Sequence, residues 1–111
     1  MKDGIYAVVF ESSQSSFGEG IAVVRGGYVH GGDMGFICRG KVESGMLELE
    51  VEQYNSEIPS ALGMEGVYML EMNYRDVGEG VYRFRGHVKG DPERRLTARA
   101  FHLGGLLEEN S

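Results

Sequence analysis

The sequence predicts an all-β domain, an eight-stranded up-and-down antiparallel barrel, and three observations carry that prediction. There are 18 glycines against 2 prolines and no Gly-X-Y period, which points to many tight turns and bulges. The stretch 46–54 alternates strictly, with Leu47, Leu49 and Val51 on one side and Glu48, Glu50 and Glu52 on the other, as in a strand with one face in a core and one in water. Short runs of this kind follow one another with mostly short polar or glycine connections. Such a meander of eight strands closes most simply into a barrel, which removes exposed edges. A flatter two-sheet sandwich is the alternative.

The elements follow in order. Residues 4–11 form the first strand. Its core, 5–10, is apolar on both faces, so it packs into the domain with one face and against a second sheet or a second copy of the protein with the other. Ser12, Ser13, Gln14, Ser15 and Ser16 make a polar, mobile connection. The second strand is 18–25, and Gly26-Gly27 is a hairpin turn with positive φ open to both residues. A short third strand covers 28–31, and the fourth covers 34–42 after a turn at Gly32-Asp33. The fifth is the alternating 46–54 stretch. Residues 55–66 break the rhythm. Pro59 could open a helical turn there, but the segment is too short for a stable helix.

Residues 67–74 form the sixth strand, with Tyr68, Leu70 and Met72 on one face, and 75–80 a turn. The seventh, 81–89, turns Tyr82, Phe84 and Val88 inward. Gly90-Asp91-Pro92-Glu93 reads as a turn and 95–102 as the eighth strand. The whole is one domain's worth of chain, with 1–103 as the barrel and 104–111 as a frayed tail.

The formal charge of −6 argues against a nucleic-acid backbone binder and suits docking onto a basic partner. The single cysteine, Cys38, excludes an internal disulfide and suits a reducing compartment. Neither a signal peptide nor a membrane-length apolar run is visible, so a cytoplasmic location is expected.

Chemistry-bearing constellations are sparse. Glu48, Glu50 and Glu52 sit roughly 7 Å apart along one strand face. They read as a solvated face or as an acidic docking stripe, since paired-carboxylate hydrolysis needs groups that converge across a cleft. His30, His87 and His102 lie in three different strands without metal-ligand spacing, so no metal is expected. Cys38 lies in an apolar strand and reads as a buried, inert thiol. The run 35–41 matches the start of a phosphate-binding loop, but the next residue is Val42 rather than Ser or Thr. No catalytic residue and no cofactor are expected. Met34, Met46, Met64, Met69 and Met72 read as core filler. Alternatively, with Leu47, Leu49, Val51, Tyr68, Leu70, Tyr82 and Phe84, they line a barrel interior open to a small apolar ligand.

On these residues the chain resembles the GrlR-like family, small bacterial proteins named for a negative regulator of type III secretion genes. The resemblance rests on the opening Met1-Lys2-Asp3-Gly4-Ile5-Tyr6, on Gly18-Glu19-Gly20-Ile21 and Gly31-Gly32-Asp33, and on Tyr54-Asn55-Ser56-Glu57-Ile58-Pro59-Ser60. It implies a calycin or lipocalin-like eight-stranded barrel, a homodimer, no enzymatic activity, and an anti-activator that sequesters a basic helix-turn-helix transcription activator through an acidic loop. That loop falls near Glu43-Ser44-Gly45-Met46, where the family's Glu-Asp-Glu-Asp motif is not retained. The expected partner surface is therefore Glu43, Glu48, Glu50 and Glu52. The expected dimer interface is the doubly apolar first strand, through Ile5, Ala7 and Val9.

Overall fold

Eight strands account for the regular structure: β1 (Gly4–Ser12), β2 (Phe17–Arg25), β3 (Tyr28–Gly32), β4 (Phe36–Glu43), β5 (Met46–Gln53), β6 (Val67–Gly78), β7 (Val81–Val88) and β8 (Asp91–Gly104). The structure is a computed structural model that describes residues 1–13 and 16–107. Each strand pairs antiparallel with the next, and β8 pairs back onto β1, so the sheet is a closed barrel in sequence order. Among the described residues there is no helix, and so none long and apolar enough to cross a membrane.

Period-two alternation sets what faces the core. On β1, Tyr6 is fully buried, while Ile5 and Val9 beside it in the alternation are exposed. On β5, Leu47 and Val51 are buried and the glutamates point out. β6 buries Leu70 and Met72, and β7 buries Tyr82, Phe84 and Val88. Registers shift at Ile5/Tyr6, Asp76/Gly78 and His87/Val88, and such bulges bend and twist a sheet that must close on itself.

Several boundaries differ from the sequence expectation, each for a local reason. β4 starts at Phe36 because the Asp33 carboxylate accepts the backbone N–H groups of Gly35 at 2.9 Å and Phe36 at 3.0 Å, holding residues 33–35 in a turn. β6 runs on to Gly78, since Arg75 and Asp76 stay in register with Arg83 and Tyr82 and a bulge absorbs Val77. β8 begins at Asp91, ahead of the expected 95. Pro92 is tolerated near the strand's start, where a missing N–H costs least, and the turn shrinks to Lys89-Gly90. Residues 54–66 form turns and bends without a helix. Of the expected mobile connection, Gln14 and Ser15 lie outside the described residues. So do 108–111 of the expected tail, whose start at Gly104 still belongs to β8.

Three hairpins share one end of the barrel, and each has positive φ at both central residues: Gly26 and Gly27, Ser44 and Gly45, Glu79 and Gly80. This is the primed turn that matches strand twist. Glu79, at φ 56, adopts a conformation that L-residues with long side chains resist. Replacing it with Asn, which tolerates that region, is expected to add about 0.5–1 kcal/mol and raise Tm by about 2–6 °C. Calorimetry of Glu79→Asn showing no rise would contradict this account of the turn.

Candidate functional site

The barrel is not filled. Its interior holds an apolar cavity of ≈ 550 Å³. One wall is built from large side chains: Leu47, Leu49 and Val51 of β5, Tyr68, Leu70 and Met72 of β6, and Phe84 of β7. The facing wall mixes small residues, Gly18, Gly20 and Ala22 of β2 and Ala98 and Ala100 of β8, with Tyr6, Val8 and Phe10 of β1. A side chain at Gly18 would collide with the Phe10 ring, so that glycine is required by packing. The space exists in part because glycines and alanines interrupt that wall, leaving volume no side chain occupies.

One end of the barrel is sealed by tyrosines. Tyr82, the eighth of the residues expected to line the interior, is buried there rather than at the cavity. Tyr6 and Tyr82 meet edge to face at 5.9 Å, and Tyr74 lies 6.2 Å from Tyr82. Their hydroxyls tie down the first residues of the chain. Tyr6 donates to the Lys2 carbonyl at 2.5 Å, Tyr82 accepts the Lys2 N–H at 3.2 Å, and the Met1 amino group donates to Tyr74 at 3.4 Å. Burial first, and the neighbouring Tyr82 second, push Tyr6 up to about 12, so its hydroxyl stays protonated and able to donate. His102 stands edge-on to Tyr6 at 5.2 Å.

The segment 54–66 covers the other end. Leu62 is only 2% exposed, and Ile58 and Ser60 also line the cavity. The Gln53 side chain donates to the Ile58 carbonyl at 2.9 Å, and Arg94 donates to the Leu62 carbonyl while pairing with Asp91 at 2.8 Å. β3 pairs with β2 only from Ile21 onward, which leaves residues 17–20 of β2 unpaired on that side. The cavity lining extends outward there, past Gly20 and Asp33, to Phe17 and Met34, which are 75% and 77% exposed. Sequence reasoning missed this opening. The signal was the brevity of the third strand against its neighbours.

The methionine reading needs correction. Met72 is buried and Met1 and Met64 pack against the core, but Met34 and Met46 are exposed and Met69 points outward. Strand alternation places Met46 and Met69 there, whatever their hydrophobicity, while Met34 lies in the 33–35 turn at the cavity opening.

The interior offers apolar contact and little chemistry. Cys38 is half-buried on the cavity wall. Burial, reinforced by the Asp33 charge, pushes its thiol up to about 11, so it stays protonated and unreactive at neutral pH. The run 35–41 lies mostly in β4, with no helix N-terminus to bind phosphate. Among the described residues no group of His, Cys, Asp and Glu could hold a metal ion.

Two features lie on the outer surface. The first is the glutamate row of β5. Arg39 of β4 binds Glu52 at 2.8 Å and Glu50 at 3.4 Å, and Lys41 lies 3.8 Å from Glu43. Register sets Glu48 between Lys41 on one side and Glu71 on the other. Exposed pairs of this kind contribute about 0–1 kcal/mol each, so a better-placed cation can displace Arg39. The second feature surrounds β1. Ile5, Ala7 and Val9 point outward, flanked by Val23 and Ile21 of β2 and by Phe101 of β8, which together make an apolar strip across three strands.

Fold and interior together define a small up-and-down β-barrel with an apolar cavity. The chain belongs to the GrlR family: the family described as "T3SS negative regulator, GrlR" matches residues 1–106. The family is one of negative regulators of the type III secretion system. No curated protein matches the sequence.

The Cys38 environment has a pH consequence. Its thiol is raised from 9.0 to about 11 in the fold, so the unfolded chain ionises first. Stability is full below pH 9 and falls as pH rises toward 11. Urea midpoints measured across that range should decline less steeply for Cys38→Ala than for the parent. Equal slopes would place the thiol in water.

Proposed function

We propose that the protein is a non-enzymatic cytoplasmic regulator that acts by binding another protein, an anti-activator that sequesters a basic transcription activator. Membership of a negative-regulator family carries this reading. The outer face of β4 and β5 supports it, because Glu43, Glu48, Glu50 and Glu52 project there on a chain of net charge −6. A basic partner gains by exchanging the exposed Arg39 pairs for intermolecular ones. A homodimer fits the same reading, since a second copy would cover the apolar strip of Ile5, Ala7 and Val9.

The test is a binding titration of the triple variant Glu48→Gln, Glu50→Gln, Glu52→Gln against a basic helix-turn-helix activator from the same cells. At about 0.5–1 kcal/mol per charge, affinity should fall roughly tenfold to a hundredfold with the fold intact. An unchanged Kd would remove the glutamate row from the interface.

The cavity favours a second reading, a carrier or sensor of a small apolar molecule that enters beside Phe17 and Met34. N-phenyl-1-naphthylamine, a neutral apolar dye, should brighten on binding the parent. Ala98→Leu should weaken that signal by narrowing the cavity, which has room for the larger side chain. A dye that ignores the substitution binds elsewhere.

A further inference from the structure

The net charge of −6 hides a basic surface. Five of the 11 basic side chains, Arg75, Arg83, Arg85, Arg95 and Arg99, share the outer face of β6, β7 and β8. Register sets Arg75 opposite Arg83 and Arg83 opposite Arg99, so three guanidinium groups lie in one row across three strands. Like charges directly opposite each other on a sheet are destabilising. Among the described residues none of the five makes an ion pair, whereas Arg39, Lys41 and Arg94 each do. The row spans roughly 10 Å across the sheet, and Arg83 and Arg85 stand about 7 Å apart along β7. Arg75, Arg83, Arg85 and Arg99 line a groove of ≈ 520 Å³ whose far side carries Val9, Phe17 and a single carboxylate, Glu11, so cations outnumber anions there.

We propose that this groove docks an acidic, extended segment of a partner protein. An extended chain repeats its same-face side chains about every 7 Å, the spacing of Arg83 and Arg85, so alternate acidic residues can meet successive arginines. The ligand relieves the repulsion that the empty row carries. A long phosphate backbone fits less well, because Glu71 and Glu48 lie in register immediately beyond β7 and the chain as a whole is acidic. This surface is separate from the glutamate row, so the two can be tested independently.

The experiment is fluorescence anisotropy with a labelled peptide of alternating glutamate and leucine, run beside a single-stranded oligonucleotide of equal charge. The peptide should bind with marked salt dependence. The double variant Arg83→Gln, Arg99→Gln should weaken it at least tenfold while keeping or raising Tm, and the Glu48, Glu50, Glu52 triple variant should leave it unchanged. Absence of peptide binding, or binding indifferent to the arginine variant, overturns the proposal. Tighter binding of the oligonucleotide overturns it in favour of a nucleic acid. Salt-sensitive self-association lost in the arginine variant, seen by sedimentation, overturns it in favour of the glutamate row of a second copy.

Discussion

Pairing of β1 with β8 is the interaction on which the rest of this molecule depends. It runs from Ile5 opposite Gly104 to Ser12 opposite Leu96 and joins the two ends of the chain. A meander without that seam would be an open sheet with two unpaired edges and a half-exposed core. With it, every strand has two partners, and the inward or outward direction of each side chain is set. A slip of one residue anywhere would exchange the faces, placing glutamates inside and leucines in water.

Closure also explains why the barrel can carry an empty interior. Backbone pairing around the ring supplies a scaffold that does not need a fully packed centre, and the aromatic seal of Tyr6, Tyr74 and Tyr82 anchors one end. That seal is polar as well as apolar, because each hydroxyl meets a group of the first two residues. Among the described residues no buried side-chain polar atom lacks a partner, so no unpaired polar group stands in the mainly apolar interior.

Most of the fold was legible in the sequence because strand alternation is a local signal. The 46–54 stretch announced its two faces, and the doubly apolar 5–10 run announced a strand with an apolar outer side. Turn chemistry misled where two signals competed. Gly90-Asp91-Pro92 looks like a long turn, yet Gly90 alone, at φ 86, lets the chain reverse and the next strand begin at once. The candidate surfaces were less legible because they depend on register between distant residues. Arg39 meets Glu50 and Glu52 only through pairing of β4 with β5, and Arg75, Arg83 and Arg99 become neighbours only when three strands align. Net charge averages over such clusters. The sequence offers the cavity only as an alternative to a filled core, since its volume depends on how side chains of different size face one another across the barrel.

A rigid shell of this kind can present different chemistry on each outer sector while its interior stays apolar. The acidic sector of β4 and β5 and the apolar sector around β1 carry the regulatory reading, and the cavity carries its competitor. Native mass spectrometry of the protein released gently from its own cells tests the two most directly. The account predicts a dimer carrying a second, basic protein that dissociates as salt is raised. A species that carries only a small apolar molecule, with no second protein at any ionic strength, would contradict it.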